Sequence, residues 1–278
     1  MAWPVLAALV FACATRPSQD SPLTPVRIRG RKLRSRTVGD SAVYVVELAQ
    51  VSDLVAKWSH GPELRADGGG RDVDPFGVVV WPGAAALARL LSAEAVDNNT
   101  CEGVSSDLNP SSLPCGNARI MELGCGTGAC SLLAASLGAK RVIASDQNPL
   151  TLELVAAAAQ PQGLDAVTTR VFDMCSSEPL PSDMDFLLAA DVCYNDALGR
   201  ALGRRVEEAM HLGIPSYVAD SVNIARNAFI DELQLRSVPF IQKTETLSFV
   251  GHAVSLDMEV ERASNVALFA VGLNSQVH

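Results

Sequence analysis

The chain is 278 residues long, 48% hydrophobic and 19% charged, a composition that buries a core and excludes an intrinsically disordered, collagen-like or coiled-coil protein. Its net charge of -9 argues against non-specific binding of nucleic acid by the folded body. The charge is unevenly spread: Ala14 to Gly39 carries seven Lys/Arg against one acid, Asp20, leaving 15 basic and 30 acidic residues elsewhere. Trp3 to Ala14 is apolar but too short to span a membrane, and it ends in the small-x-small triplet Ala12-Cys13-Ala14. The Arg-, Ser- and Pro-rich stretch that follows gives two readings of residues 1–38. One is a targeting leader, bipartite for a plastid or of mitochondrial type, and the other is a plain disordered tail on a cytoplasmic protein.

From residue 39 onward a single domain is expected, with an N-terminal extension over 39–82. Val43 to Leu48 reads as a strand and Val51 to Trp58 as a helix; Gly61 to Asp74 is a polar loop and Phe76 to Trp81 is extended. Pro82 opens a helix that runs through Ala84 to Ala95, and 97–117 is a flexible loop holding the glycosylation-type triplet Asn98-Asn99-Thr100. Beyond Arg119 strands and helices alternate: strands at Arg119–Leu123, Arg141–Ser145, Val167–Phe172, Phe186–Ala190 and Ile214–Ala219, helices at Gly128–Leu137, Pro149–Gln160, Ala197–Leu212 and Ile224–Leu235. Two last β runs, Leu247–Glu261 and Val266–Val271, have no helix between them. The fold class expected is α/β: a doubly wound, mainly parallel sheet with an antiparallel hairpin at its C-terminal edge. Ligands of such sheets sit at the carboxyl ends of the strands, near the switch in strand order.

Seven cysteines occur without a C-x-x-C pair and histidines number four, so no metal site is expected. Cys101 and Cys115 share one loop and would be able to pair in an oxidising compartment; Cys125, Cys130, Cys175 and Cys193 read as small buried hydrophobes.

The sharpest motif is Glu122-Leu123-Gly124-Cys125-Gly126-Thr127-Gly128, straight after a strand and opening a helix. Gly124, Gly126 and Gly128 let the backbone turn tightly and let a ligand lie against it. Ala129 completes a permissive dinucleotide fingerprint, but Glu122 is a carboxylate where a pyrophosphate would sit, and it suits a cationic sulfonium with an ammonium group instead. Asp146 ends the second strand, 18 residues past Gly128, placed for both ribose hydroxyls. Phe172 and Asp173 end the third, offering an apolar wall and an acceptor for an adenine. Three acids at three successive strand tips select S-adenosylmethionine over NAD.

These residues resemble motif I and its neighbours in class I methyltransferases. Trp81-Pro82-Gly83 after Asp74-Pro75-Phe76, and Asp191-Val192-Cys193-Tyr194 after the fourth strand, resemble methyltransferase family 16 more narrowly, over roughly Ser52 to Phe229. The resemblance implies a protein-lysine N-methyltransferase whose partner is the protein bearing the lysine. In it Asp191 orients the incoming amine, Tyr194 lines the transfer point, and Trp81 packs on the cofactor or the lysine stem. A monomer without nucleic-acid partner or stable membrane insertion is expected. Where the family continues Gly-Asp-Pro-Gly-Arg after the fifth strand, this chain has Ala219-Asp220-Ser221-Val222-Asn223-Ile224-Ala225-Arg226, a departure that bears on the substrate more than on the chemistry. A small-molecule methyltransferase and a non-catalytic cofactor-binding module are the alternative functions.

Overall fold

The computed structural model describes residues 27–38, 41–52, 54, 76–92, 115–253 and 258–272. Most of the leader, the polar loop over 61–74, the glycosylation-type triplet and Cys101 lie outside the described residues. Ten strands are described: β1 (Arg27–Ile28), β2 (Arg31–Thr37), β3 (Tyr44–Leu48), β4 (Arg119–Leu123), β5 (Arg141–Asp146), β6 (Val167–Val171), β7 (Phe186–Ala190), β8 (Ser216–Asp220), β9 (Phe240–Ala253) and β10 (Met258–Val271). Five α-helices accompany them: α1 (Pro82–Ser92), α2 (Ala129–Ser136), α3 (Pro149–Ala159), α4 (Asp196–His211) and α5 (Arg226–Leu235). None of the described helices is long and apolar enough to cross a membrane.

The main sheet has the order β6-β5-β4-β7-β8-β10-β9. β4 to β8 run parallel, and β10 is antiparallel to both of its neighbours. The expected doubly wound sheet with an antiparallel C-terminal edge is therefore the one observed. One core packs α1, α2 and α3 on one face, and a second packs α4 and α5 on the other. Strand order switches direction between β4 and β7, so the loops after these two strands open onto one crevice.

Helix starts follow side-chain chemistry. Asn148 caps α3 by accepting the Leu150 N–H at 3.0 Å, with Pro149 in the first turn, and Asn195 caps α4 through the Leu198 N–H at 2.9 Å. Gly128, the residue before α2, has φ 76° and no side chain to cap with. Glu122, one strand away, fills the gap: its Oε2 accepts both the backbone N–H (2.9 Å) and the hydroxyl (2.5 Å) of Ser131 in the first turn.

Besides Cys175, which is exposed rather than buried, three expectations need correction. The two β runs divide between Ala253 and Met258, not after Glu261: Asn265 sits mid-strand, its side chain accepting from Thr246 across the ladder at 2.8 Å. The stretch from Phe76 to Trp81 is not fully extended: Phe76–Val78 is a 3-10 turn, and the Trp81 indole N–H donates to the Phe76 carbonyl at 2.6 Å, drawing the segment together. The third concerns the leader. Residues 27–37, placed in it by composition, form β1 and β2 of a three-stranded antiparallel sheet with β3.

That small sheet is fastened to the main body. The Gln162 side chain exchanges two hydrogen bonds with the backbone of Tyr44, and Arg29 pairs with Glu153 of α3. At its centre Glu47 is fully buried (0% exposed). Its Oε2 accepts from Arg36 Nε at 2.7 Å and Arg34 Nε at 2.9 Å, and its Oε1 from the Val80 N–H at 2.7 Å. Burial pushes its carboxyl up, but the charges of Arg36 and Arg34 with the Val80 amide outweigh burial and hold it below the usual carboxylate range. Removing one partner of such a pair strands the others in a medium that cannot solvate them. Glu47→Ala is therefore expected to cost about 3–5 kcal/mol, seen as a lower urea midpoint with an unchanged slope. A loss within about 0.5 kcal/mol would mean water replaces the carboxylate.

Candidate functional site

A cleft of about 780 Å³, open to solvent, lies over the carboxyl ends of β4, β5, β6 and β7. Nine of the ten residues singled out from sequence line it; Gly128 does not, and instead packs beneath it against Val155 of α3. Three groups of residues make up the walls.

The first is the loop from β4 into α2. Gly124, Gly126 and Gly128 all take positive φ, 62°, 52° and 76°, the left-handed region that costs other L-residues about 1–2 kcal/mol. A Cβ on Gly126 would stand 3.2 Å from the Gly77 carbonyl, and one on Gly124 only 2.5 Å from a Val192 methyl. The backbone is thereby bare along the cleft floor, a cradle into which a ligand's own atoms fit. Glu122 sits at its base, 1% exposed, and burial pushes its carboxyl up to about 7 against the opposing bonds from Ser131.

The second group lies at the carboxyl ends of β5 and β6. Asp146 Oδ2 accepts the Gly126 N–H at 3.1 Å and its Oδ1 the Asn148 N–H at 2.8 Å, so backbone donors fix the carboxylate at the mouth of the cradle. Each oxygen retains acceptor capacity for a hydroxyl. Phe172 is buried in the wall and Asp173 lies at its rim, one oxygen accepting the Cys175 N–H at 2.8 Å. Asn148 is a lining residue that the sequence reading did not single out. Its Nδ2 is buried without a hydrogen-bond partner, an orphaned donor in the same wall. A bare glycine cradle, carboxylates at two ribose- and adenine-side positions and an unspent buried donor fit an adenosyl cofactor.

The third group is aromatic. Tyr194 stacks on Phe76, ring centroids 4.9 Å apart and planes 20° from parallel, and Trp81 lies 5.9 Å from Phe76. Phe76 and Gly77 were read from sequence only as flanks of the Trp-Pro-Gly segment. Their contacts with Tyr194 and Gly126 span more than 40 residues of chain, so no local pattern announces them.

Asp191 stands behind the aromatics, 8% exposed, at φ 54°. Its Oδ2 accepts the Gly83 N–H at 2.6 Å; its Oδ1 accepts the N–H (2.6 Å) and the hydroxyl (2.9 Å) of Ser221. The carboxylate expected to meet an incoming amine is held first by donors of its own chain. A Cβ on Gly83 would lie 2.6 Å from Asp191 Oδ2, which explains glycine after Trp81-Pro82. Burial, then the charge of Asp220, push the Asp191 carboxyl up to about 7. Arg226 caps this acidic end, its Nε donating to Asp220 Oδ2 at 2.6 Å and an Nη to the Asp220 carbonyl at 2.7 Å. Although displaced in sequence, this arginine reaches back over the loop to Asp220. Among the described residues no His, Cys, Asp or Glu cluster is arranged to hold a metal ion.

The sequence profile of methyltransferase family 16, described as lysine methyltransferase, matches residues 62–219, and the chain belongs to that family. The electron transfer flavoprotein beta subunit lysine methyltransferase of Danio rerio is 29% identical over 145 residues, 52% of this chain and 47% of that protein's length. Among solved structures, the chain is similar to a precorrin 8w decarboxylase of Methanobacterium thermoautotrophicum. That match has a TM-score of 0.44 and 21% identity, covering 58% of this chain and 84% of that one. A precorrin-6y C5,15-methyltransferase from Geobacter metallireducens gives 0.42 and 12%, covering 56% and 80%.

Two outcomes follow from the geometry. Gly126→Ala, which adds a left-handed alanine and a methyl against Gly77, is expected to lower stability by about 1–2 kcal/mol and weaken adenosyl-ligand binding. Wild-type values of both would show the cradle is not occupied. The second concerns pH. Glu122 and Asp191, both near 7, bind protons more tightly folded than unfolded, so their contribution to stability falls as pH rises from about 4.5 to about 7. A cationic ligand favours the ionised forms, so its affinity is expected to rise across that range and level off above about 7, with proton release on binding. Calorimetry in buffers of different ionisation enthalpy reads this directly. An affinity flat in pH, in wild type as in Glu122→Gln, would exclude a cation beside Glu122.

Proposed function

We propose that this member of methyltransferase family 16 is an S-adenosylmethionine-dependent protein-lysine N-methyltransferase. The observation that carries the reading is convergence: the glycine cradle, the strand-tip carboxylates and the Trp81–Phe76–Tyr194 aromatics, far apart in sequence, line one cleft. The description of its family and the name of the Danio rerio relative support lysine as the acceptor. Glu122, Gly124, Gly126, Asp146, Phe172 and Asp173 would hold the cofactor. Bound there, S-adenosylmethionine supplies a methyl group on a sulfonium, ready for in-line displacement by a neutral amine.

The chain's own residues then have two tasks. One is to exclude water and align the acceptor, which accounts for most of what such a site contributes. Phe76, Tyr194 and Trp81 give the amine an apolar, electron-rich slot. The other is to receive a lysine that must arrive without its proton, a state that burial beside a cationic cofactor favours. Asp191 acts on the acceptor by pinning the α1 terminus and the Tyr194 loop, and by placing a carboxylate behind the aromatics. Import into an organelle, plastid or mitochondrion, is supported by the apolar run that ends in Ala12-Cys13-Ala14, since six of the seven basic residues of 14–39 belong to the N-terminal sheet and its turn. Processing upstream of Arg27 would leave the N-terminal sheet whole.

Calorimetric titration of the full chain with S-adenosylmethionine and, separately, NAD tests the foundation. Saturable binding of the first, weakened about tenfold or more in Asp146→Ala, is expected. Radiolabelled methyl transfer is then expected to lysines of a protein acceptor, the electron transfer flavoprotein beta subunit being the first to try. Preference for NAD would end the methyltransferase reading, and label entering only small molecules would end the lysine reading.

A further inference from the structure

The wall that carries Phe172 and Asp173 belongs to a segment, Phe172 to Leu180, that contains neither helix nor strand. Two side chains of α4, Arg205 and Glu208, hold it. Arg205 is 6% exposed. Its Nε donates to the Met174 carbonyl at 3.0 Å, one Nη to the Ser176 carbonyl at 2.6 Å, and the other to Glu208 Oε2 at 2.6 Å. Glu208 closes the circuit, its Oε1 accepting the Leu180 N–H at 2.7 Å. The Arg205 guanidinium carbon also lies 5.0 Å from the Phe172 ring centroid, with that of Arg170 at 5.4 Å.

A guanidinium keeps its charge at any pH the protein meets, and its donors lie in one rigid plane. Buried, that plane has to be filled, because an unsatisfied charged donor away from water is costly. Two consecutive-turn carbonyls of the segment and a carboxylate do the filling here, and the ring of Phe172 sits against the cation. The segment's path and the solvation of Arg205 are therefore one arrangement. Met174, whose carbonyl is bound, itself lines the cleft beside Phe172 and Asp173.

From this geometry we infer that Arg205 is a positioning residue for the adenosine end of the cofactor site, setting Phe172 and Asp173 through the Met174 and Ser176 carbonyls. The inference rests on the S-adenosylmethionine reading above and adds to it a residue that touches no ligand. Lysine at this position would keep the charge but lose the fork, and methionine would keep only the stem. Glutamine at Glu208 has one acceptor oxygen where the carboxylate uses two, so it serves Leu180 or Arg205 but not both.

Calorimetry of the full chain with S-adenosylmethionine and with 5′-methylthioadenosine, which has the adenosine half without the amino-acid tail, separates the possibilities. Arg205→Met is expected to weaken both ligands by the same factor, about tenfold, at unchanged stoichiometry, with Arg205→Lys and Glu208→Gln between it and wild type. Unchanged dissociation constants in a folded Arg205→Met protein would overturn the inference. So would a drop in stoichiometry at constant affinity, the mark of a residue that only holds the fold. If Arg205→Met does not fold, Arg205→Lys carries the same comparison, and failure of both to fold assigns Arg205 to the core alone. Wild-type protein that binds neither ligand would remove the cofactor reading itself, and this inference with it.

Discussion

The hydrogen bond from the Gly83 amide to Asp191 joins the two halves of the site. Asp191 follows β7 and Gly83 begins α1, 108 residues earlier, yet they meet at 2.6 Å with no room for a Cβ between them. The other carboxylate oxygen takes both donors of Ser221, at the end of β8. One side chain thus locks α1, the β7–α4 loop and the β8–α5 loop together, and it does so from left-handed backbone at φ 54°. Trp81 precedes this junction and Tyr194 follows it, so the aromatic wall inherits its geometry from Asp191. A residue that looks catalytic in a motif is in the fold an anchor as well, and strain at such a place is tolerated only where surrounding contacts over-determine it.

The same solution recurs along the sheet edge. Glu122, Asp146, Asp191 and Asp220 lie at the ends of four neighbouring strands in a largely buried layer, where lost solvation opposes the ionisation of Glu122, Asp191 and Asp220, and neighbouring charge that of the first two. Backbone amides and hydroxyls substitute for water: Ser131 for Glu122, Gly126 and Asn148 for Asp146, Ser221 and Gly83 for Asp191, with Arg226 and Asn223 for Asp220. The layer remains short of positive charge, and Glu122 and Asp191 stay near 7. A cationic ligand entering the cleft would complete the balance, which makes the site selective for charge sign before any shape is read.

The periphery is organised by buried arginines. Arg36 with Arg34 converges on Glu47, which in turn holds the Val80 amide one residue before Trp81. Arg205 holds the segment behind Phe172. Each sets a loop that has no regular structure of its own, using a side chain that cannot shed its charge. Neither was legible beforehand. Arg34 and Arg36 lie in a stretch whose Arg- and Ser-rich composition matches a targeting leader, and composition carries no information about a carboxylate in the next strand. Arg205 sits on a helix rich in arginine, where its burial depends on α4 packing against the sheet.

Sequence alone determined the strand and helix order from Arg119 onward, because apolar runs of strand length alternated with helical stretches ended by Gly138, Pro161 and Gly213. It also singled out the glycine turn and the strand-tip acids that line the cleft, since both are local patterns. What the tertiary structure decided lay in contacts between distant segments. The stacking of Phe76 on Tyr194 and the recruitment of residues 27–37 into a sheet depend on partners far along the chain. So do the engagement of Asp191 by Gly83 and the extension of β10 through Asn265. Local propensity fixes which backbone a residue prefers, but burial and long-range hydrogen bonding decide what its side chain meets.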